Sequence, residues 1–326
     1  MRKPRLGFLG VGWIGRDRME AVARSGAAEV VAVADAAPEV ARKALESVPG
    51  ARVLPGFAAL LEEDLDGVVI ATPSALHAEQ SVAALRRGLA VFCQKPLGRD
   101  AGEVRAVLDA ARAADRLLAV DLSYRYTRAI QAIRDRFGEL GEVYAAQLAF
   151  HNAYGPDKPW FYDVHLAGGG CVMDLGIHLV DLALWLLGEP RVEKVASSLS
   201  RKGRRLRGRE AVEDHGAALL ELSTGCCVQL ACSWRLPAGR DCLIEASFFG
   251  TRGGASFSNV NGSFYDFRAE LFHGTSREVL VEPPDAWGGR AAVDWAARLA
   301  TGERFDPHAG ELMAVAATID RIYAGE

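Results

Sequence analysis

A lysine stands at the end of an apolar, strand-like segment in the first third of the chain. Residues 89–93 read LAVFC, and Lys95 and Pro96 follow at once. Most lysines are exposed, so a turn at the surface is the simplest interpretation. An ammonium group held beside a buried strand could also stabilise negative charge that develops on a reacting oxygen. Lys95 is therefore a candidate functional residue, with Pro96 restricting the backbone next to it.

The second candidate group lies in segment 168–187, which is apolar on nearly all sides and is typical of a buried helix. Its exceptions, Asp174, His178 and Asp181, fall at i, i+4 and i+7 on one helix face. Because buried carboxylates need partners, these residues should line a polar cleft or form a hydrogen-bonded network. Histidine titrates near neutrality and suits general-base catalysis. Asp174 and His178 are predicted to line a functional site, whereas Asp181 fits a structural role equally well.

A glycine-rich turn near the start of the chain has the GxGxxG pattern of dinucleotide-binding proteins. It follows strand-like residues 5–9 and opens a helical pattern, so the helix N-terminus could bind a pyrophosphate. Asp35 ends the next strand-like segment and could accept hydrogen bonds from ribose hydroxyls while repelling a 2′-phosphate. The pattern predicts NAD rather than NADP, although a glycine turn without a ligand would read the same. The predicted contacts in the turn are Gly10, Gly12, Trp13, Ile14 and Gly15.

Residues 1–122 alternate strand-like and helix-like segments, which predicts a doubly wound parallel sheet of the Rossmann type. The predicted strands are 5–9, 29–34, 51–54, 67–71, 89–93 and 117–121, and the predicted helices are 14–25, 38–47, 75–87 and 100–115. Ligands of such sheets bind outside the carboxyl ends of the strands. The further cofactor contacts predicted there are Thr72, Pro73, Ser74, His77, Gln94 and Lys95.

Residues 123–326 have longer strand-like segments joined by short turns, which predicts an α+β second domain with a large open mixed or antiparallel sheet. The predicted strands are 142–151, 192–199, 213–223, 226–234 and 242–249, and the predicted helices are 125–137, 170–187, 289–300 and 308–324. A sheet with few helices leaves one face uncovered, so this domain is expected to self-associate as a homodimer or homotetramer.

Composition and charge argue against several classes of function. Half of the 326 residues are hydrophobic and the formal net charge is −4, which gives no reason to expect nucleic acid or a membrane as a partner. The basic run 201–209 is predicted to be a solvated loop. Tyr154 and Lys158 have the spacing of a short-chain dehydrogenase pair, but Gly155 and Pro156 disfavour the helix that this pair needs. No metal-ligand spacing is seen, and the scattered cysteines predict reduced thiols in a cytoplasmic protein.

At these residues the chain closely resembles the Gfo/Idh/MocA oxidoreductase family, and the resemblance extends over essentially its whole length. The motifs that carry it are the GxGxxG turn, the ATPSALH segment at 71–77, the QKP segment at 94–96 and the GGGxxxDxGxHxxD pattern starting at Gly168. Matched to the family, Lys95 is the catalytic lysine, Asp174 and His178 are active-site residues, and Arg125 is an arginine common near the domain junction. The chain departs from the family where Gln94 replaces a glutamate, Ser74 a frequent asparagine, and Arg128 a usual proline.

The resemblance implies hydride transfer between NAD(P) and a sugar, polyol or related compound. In this role His178 would act as general base, Lys95 would stabilise the developing oxyanion, and Asp174 would orient the substrate or His178. Substrate contacts are also predicted at Arg125, Lys158 and Trp160, although Trp160 could instead pack on the core. Two other activities fit the same motifs. One is an NAD-dependent glycosidase or epimerase-like reaction with transient oxidation, and the other is a non-catalytic NAD-binding regulator.

Overall fold

Short apolar strands in the first part of the chain pair into one parallel sheet of six strands, in the order β3-β2-β1-β4-β5-β6. This is the strand order of a Rossmann dinucleotide-binding fold. In the computed structural model, which describes residues 2–325, the strands are β1 Arg5–Leu9, β2 Glu29–Ala34, β3 Arg52–Leu54, β4 Gly67–Ile70, β5 Ala90–Cys93 and β6 Leu118–Val120. The predicted doubly wound sheet is confirmed.

Helices connect these strands, as parallel pairing requires. They are α1 Trp13–Ser25, α2 Pro38–Ala44, α3 Phe57–Leu61, α4 Ser74–Arg86 and α5 Ala101–Ala114. Asp100 caps the N-terminus of helix α5, and its side chain accepts a hydrogen bond from the backbone N–H of Glu103. The short α3 was not predicted, because five residues are too few to show a helical period.

The residues divide into two units, one formed by Met1–Ser123 with Gly288–Leu312 and the other by Tyr124–Trp287 with Met313–Glu326. The sequence prediction placed all of 123–326 in the second domain, and the structure differs for Gly288–Leu312. Helix α9, Arg290–Ala300, packs on the first sheet through the fully buried Trp295. The amphipathic pattern shows that α9 has an apolar face, but not which sheet that face covers.

The second unit contains a nine-stranded mixed sheet in the order β15-β14-β13-β12-β7-β11-β10-β8-β9. Strands β7 and β11 run parallel, and the other neighbouring pairs run antiparallel. The strands are β7 Val143–Asn152, β8 Val192–Arg201, β9 Arg204–Leu206, β10 His215–Leu222, β11 Cys227–Ser233, β12 Cys242–Gly250, β13 Gly254–Asn259, β14 Phe267–His273 and β15 Ser276–Val281. The five predicted strands are confirmed, and β9, β13, β14 and β15 were missed.

The remaining helices are α6 Arg128–Asp135, α7 Val164–Ala167, α8 Ile177–Leu186 and α10 Glu311–Ala324. Short 3-10 helices lie at Ser123–Tyr126, Phe137–Leu140, Pro159–Tyr162 and Pro307–Gly310, and a π-helical turn lies at Val172–Gly176. Residues 164–186 are long and apolar enough for a membrane span by length and composition, but 89% of the most apolar window is buried inside the protein. That burial is the behaviour of a core helix.

The two faces of the nine-stranded sheet differ in composition. One face is packed with apolar side chains that alternate along each strand, such as Leu148 and Phe150 in β7 and Val228 and Leu230 in β11. The other face carries small and polar side chains around a shallow groove, among them Gln147, Ala149, Ser198, Ala217, Leu219, Gln229, Ala231 and Glu245. Within the described residues this second face has no helix over its centre, as the sequence predicts.

Candidate functional site

The glycine turn after β1 is shaped by close backbone contacts. Gly10 has φ +80°, and a Cβ at this position would lie 2.5 Å from the carbonyl oxygen of Ala71. A Cβ at Gly15 would lie 2.0 Å from the carbonyl oxygen of Gly10. Glycine is therefore required at both positions, one for the turn and one for the close approach of α1 to β1.

Gly12 has a different reason to be glycine, because a Cβ there would meet nothing within 4 Å. Gly12 is the N-cap of α1, no side chain caps this helix end, and the next residue, Trp13, is 75% exposed. The first N–H groups of α1 thus face open space with a partial positive charge. This arrangement fits the pyrophosphate of NAD, which would approach the backbone over Gly12 beside Trp13 and Ile14.

Asp35 is fixed beside this turn. Its Oδ2 accepts the backbone N–H of Val11 at 2.8 Å, and its Oδ1 accepts the N–H of Ala37 at 2.9 Å. The side chain is only partly buried, and each carboxylate oxygen keeps a lone pair for a further donor. The position suits the ribose hydroxyls of NAD, and its negative charge opposes a 2′-phosphate.

His77 links the two turns that follow β4 and β5. Its Nδ1 lies 2.7 Å from the carbonyl oxygen of Pro96, and its Nε2 lies 2.7 Å from that of Thr72. Burial lowers the pKa of His77, although both carbonyl contacts act in the opposite direction. The prediction placed His77 among the cofactor contacts. In the structure both ring nitrogens face backbone carbonyls, and the neutral ring that burial favours can donate to only one of them. His77 therefore lies between the turns of Thr72 and of Lys95, and its contact with the cofactor stays a prediction.

Gln94 belongs to a buried network with Arg18 of α1 and Asp121, which follows β6. The amide of Gln94 donates to Asp121 Oδ2, and Arg18 Nε donates to the same oxygen at 2.7 Å. Asp121 is 1% exposed, and its Oδ1 has no hydrogen-bond partner within the described residues. The amide nitrogen of Gln94 is thus used inside the protein, and its predicted contact with the cofactor stays a prediction. Lys95 is partly exposed, and its peptide bond to Pro96 is cis.

The turn after β4 carries the other predicted cofactor contacts. Thr72 Oγ1 donates to Gln80 at 2.6 Å, Pro73 is the N-cap of α4, and Ser74 is buried at the first position of that helix. The turn therefore stands at the carboxyl edge of the sheet, where the strand-end rule places ligands.

The helical segment that carries Asp174 and His178 begins at a site built around Glu213. Both carboxylate oxygens of Glu213 accept the N–H of Gly170, at 3.0 and 2.9 Å, and Oε1 also accepts the N–H of Val172 at 2.9 Å. The hydroxyl of Tyr323 donates to Oε1 at 2.8 Å. Burial raises the pKa of Glu213, and these hydrogen bonds oppose that shift.

The contacts of this segment with Glu213 and Tyr323 explain two of the three glycines at residues 168–170. A Cβ at Gly169 would lie 2.0 Å from the Tyr323 hydroxyl, and a Cβ at Gly170 would lie 1.9 Å from the carbonyl oxygen of Glu213. Sequence reasoning missed Glu213 and Tyr323. A single glutamate before a strand and a tyrosine in the last helix have no spacing that would connect them.

Asp174 lies in the π-helical turn, and His178 lies one turn later at the start of α8. π-Helical turns are frequent at functional sites because they displace side chains from the regular helix positions. Asp174 is partly exposed and accepts a hydrogen bond from Trp234 Nε1 at 3.1 Å. His178 is 7% exposed, and the edge-on ring of Tyr124 lies 4.9 Å from it between centroids. Asp174 and His178 thus share one helical segment. Trp234 contacts Asp174, and Tyr124 contacts His178.

Asp181 forms a buried ion pair with Arg125. Arg125 Nη2 lies 2.6 Å from Asp181 Oδ1, and Nε lies 3.0 Å from Oδ2. The guanidinium also lies 5.1 Å from the ring centroid of Trp185. The structure therefore supports the structural alternative for Asp181. The same ion pair holds Arg125 in the protein interior, although the sequence prediction assigned a substrate contact to this residue.

The other two predicted substrate contacts lie in the loop before α7. Lys158 is exposed, and its Nζ is 3.3 Å from a carboxylate oxygen of Asp157. Trp160 is partly buried and stacks on Phe161 with centroids 3.8 Å apart. Phe161 in turn makes an edge contact to Trp234, at 6.3 Å between centroids. Trp160 therefore packs on other side chains, which is the alternative to a substrate contact. Through Phe161 it belongs to the same aromatic group as Trp234, which donates to Asp174.

A metal centre finds no support in the described residues, where no three His, Cys, Asp or Glu side chains are grouped to hold an ion. The groups that can act are an ammonium, an imidazole and a carboxylate, together with the backbone N–H groups of the glycine turn. The N–H groups of the first unit can bind a dinucleotide, and the imidazole of the second unit can move a proton at a substrate oxygen.

Comparisons with known proteins agree with this geometry. Residues 4–122 match the model of an oxidoreductase family with an NAD-binding Rossmann fold, and residues 126–256 match the model of the GFO/IDH/MocA C-terminal domain. The putative UDP-kanosamine synthase oxidoreductase subunit of Amycolatopsis mediterranei (strain S699) is 31% identical over 256 residues, which cover 74% of this chain and 71% of that protein.

Two further proteins extend the likeness. The inositol 2-dehydrogenase of Rhizobium meliloti (strain 1021) is 32% identical over 257 residues, which cover 78% of this chain and 76% of that protein. The crystal structure of GenD2 from gentamicin A biosynthesis in complex with NAD superposes with a TM-score of 0.82 at 26% identity, covering 99% of this chain and 94% of that one. The chain accordingly belongs to the Gfo/Idh/MocA family and is an NAD(P)-dependent oxidoreductase.

Proposed function

We propose that this enzyme transfers a hydride between NAD(H) and a secondary alcohol or ketone of a sugar, polyol or related compound. The observation that carries the proposal is the pair Asp174 and His178, held on one buried helical segment by Trp234 and Tyr124. A second support is Lys95, which follows β5 of the dinucleotide-binding sheet. The relatives named above include an inositol dehydrogenase and an enzyme subunit of UDP-kanosamine formation, which supports a carbohydrate-like substrate.

In the direction of oxidation, His178 accepts the proton of the substrate hydroxyl as general base. Its ring is held by the edge contact to Tyr124, so that it meets the substrate in one orientation. Lys95 donates a hydrogen bond to the substrate oxygen and stabilises its negative charge. Asp174, fixed by Trp234, orients the substrate or His178. NAD, when bound, supplies the hydride acceptor at its nicotinamide C4.

Asp35 supports the choice of NAD over NADP. Its carboxylate is held by two backbone N–H groups, so it cannot turn away from a 2′-phosphate without losing both hydrogen bonds. Replacing the ribose hydroxyl by a phosphate would therefore place two negative groups together.

The test is an absorbance assay of reduced nicotinamide. The purified protein is incubated with NAD, and separately with NADP, against a panel of polyols, aldoses and amino sugars. Sustained formation of NADH with one substrate supports the proposal. Product formation without net NADH would instead establish the transient-oxidation alternative, and NAD binding without turnover of any panel member would favour the regulator.

We also propose that a second copy of the chain covers the open face of the nine-stranded sheet. The small side chains on this face, such as Ala149, Ala217 and Ala231, allow close approach of another flat sheet. Light scattering of the purified protein should give twice or four times the mass of 35.0 kDa. Replacing the exposed Leu219 by Glu should lower that mass, and a monomer in the unsubstituted protein would contradict the proposal. A cytoplasmic location is proposed on the basis of the six unpaired cysteines.

A further inference from the structure

A small cavity lies beside Trp234 in the second unit, and its volume is about 230 Å³. Trp234 is the residue whose Nε1 donates to Asp174, so the cavity adjoins the support of a proposed catalytic side chain. Its walls come from the loop before α7, from the hairpin of β8 and β9, and from the end of β11. The lining residues that matter here are Tyr162, Arg201, Lys202, Asp214, Trp234 and Arg235.

Three cationic side chains line this cavity, from Arg201, Lys202 and Arg235. Within residues 2–325, none of the three makes an ion pair with a carboxylate. Arg235 instead lies 5.4 Å from the ring centroid of Tyr162. The three exposed cations outnumber the two acidic residues in the wall, and a bound anion would relieve the repulsion between the cations.

The two acidic residues in the wall are already engaged by backbone groups. Both carboxylate oxygens of Asp214 accept the backbone N–H of Lys202, each at 3.0 Å, and so close the hairpin. The carboxyl group of Glu213 is bound to Gly170, Val172 and Tyr323. Neither acid pairs with a cationic side chain of the cavity, and positive charge remains in excess.

The backbone at Arg235 adds an independent observation. Arg235 has φ +62°, in the left-handed region that long side chains rarely adopt. Four other described non-glycine residues share this conformation, Lys202 of the cavity wall among them, and strained backbone of this kind clusters at active sites and ligand clamps. Here the conformation follows directly after Trp234 and turns the guanidinium toward Tyr162 and the cavity.

We propose that this cavity binds an oxyanion group, a carboxylate or a phosphoryl group, carried by the substrate at a distance from its reacting carbon. The enzyme would then act on an acidic sugar rather than a neutral one. This inference rests on the proposed redox function. Guanidinium groups match the planar geometry of such anions and bind them in bidentate fashion. A volume of about 230 Å³ corresponds to roughly eight waters, which is enough for one such group with its hydration but below the range of a whole drug-sized ligand.

The first experiment measures binding without cofactor. The full-length protein is titrated calorimetrically with glucose 6-phosphate, with glucuronate and with glucose, and Trp fluorescence is recorded in parallel. At least one anionic sugar is expected to bind ten-fold or more tightly than glucose, and whichever binds more tightly identifies the group as phosphoryl or carboxylate. Binding of both anions no tighter than that of glucose would overturn the proposal.

The variants Arg235→Gln and Lys202→Gln separate a built site from general surface attraction. Each variant should weaken the binding of the anionic sugar by ten-fold or more and leave the binding of glucose unchanged. Arg204→Gln is the matched control, because Arg204 is an exposed arginine of the same hairpin that does not line the cavity. An equal loss in Arg204→Gln would show diffuse attraction and overturn the proposal. These side chains are exposed, so circular dichroism should confirm that each variant folds.

Turnover measurements then separate this inference from the redox function. With NAD present, the anionic substrate should show a KM at least ten-fold lower than its neutral counterpart, and Arg235→Gln should raise that KM while leaving kcat within two-fold. NADH formation from neutral sugars with no preference for the anion would keep the redox function and overturn the subsite. Anion binding that depends on Arg235, with neither NADH nor any other product formed from the panel of sugars, would keep the subsite and overturn the redox function.

Discussion

Buried charge near Lys95 is balanced among three side chains. Asp121 receives hydrogen bonds from Arg18 and from the amide of Gln94, and all three residues are buried. An amide can donate to a carboxylate, whereas a second carboxylate at position 94 could do so only after taking up a proton. The glutamine that departs from the family pattern is therefore matched to the aspartate at 121.

The first prediction concerns Lys95 itself. Lys95→Ala should lower kcat by about 10²–10³ because a hydrogen-bond donor to the developing oxyanion is lost. The affinity for NAD should fall much less than kcat, since the glycine turn and Asp35 are unchanged. Steady-state kinetics and calorimetry measure the two quantities. Lys43→Ala, at an exposed lysine of α2, is the control, and a kcat in Lys95→Ala equal to that control would contradict the catalytic role.

The second prediction concerns the match between Gln94 and Asp121. Gln94→Glu should destabilise the protein by roughly 1–3 kcal/mol, because a buried carboxylate would lose its donor and meet a like charge. The double variant Gln94→Glu/Asp121→Asn restores one carboxylate and one amide and should recover part of that loss. Urea unfolding of the two single variants and the double variant gives the coupling energy. Additive effects would show that the two side chains do not interact.

At the scale of secondary structure, side chains distant in the sequence fix the elements that carry the site. His77 of α4 joins the turns after β4 and β5 through two backbone carbonyls. Glu213 and Tyr323 hold the start of the segment that leads into α8. In both cases a polar side chain satisfies backbone groups at the end of an element, which positions the residues that follow.

The link made by His77 predicts a dependence of stability on pH. Burial places the pKa of folded His77 below its value of about 6.5 in the unfolded chain, so the unfolded state binds more protons as the pH falls. The contribution of the neutral ring is fully present above about pH 6.5 and is lost as the pH falls toward the lowered pKa. Unfolding at pH 5 and pH 7.5 should show this loss, and His77→Gln should reduce it. An equal pH dependence in both proteins would contradict the assignment.

The second prediction at this scale concerns the Glu213 contact. Tyr323→Phe removes one donor to the buried carboxylate and should cost about 1 kcal/mol of stability. The phenyl ring can keep its contact to Arg209, whose guanidinium lies 4.4 Å from the ring centroid. Because the segment begins at this contact, kcat should fall several-fold while the KM for NAD stays constant. A fall in stability without any change in kcat would limit Glu213 and Tyr323 to a structural role.

At the scale of the whole molecule, the sequence predicts what repeats locally and misses what joins distant segments. The parallel sheet, the glycine turn and the apolar helix were predicted because each has a period or a spacing. The buried partners Glu213 for Gly170, and Asp121 for Gln94, were not predicted because a single side chain carries no information about a residue 27 or more positions away. The placement of α9 was missed for the same reason.

The position of α9 has a consequence for how the protein is made. Trp295 fills a space over the first sheet, its ring lying 5.8 Å from that of Phe92, while a Cβ on Gly67 would lie 2.9 Å from the indole. Residues 1–122 leave the ribosome long before residues 288–312. The newly made sheet therefore lacks helix α9, and Phe92 lacks its contact with Trp295, until the chain is nearly finished. During translation this sheet therefore exposes apolar surface that makes a partly folded chain prone to aggregation.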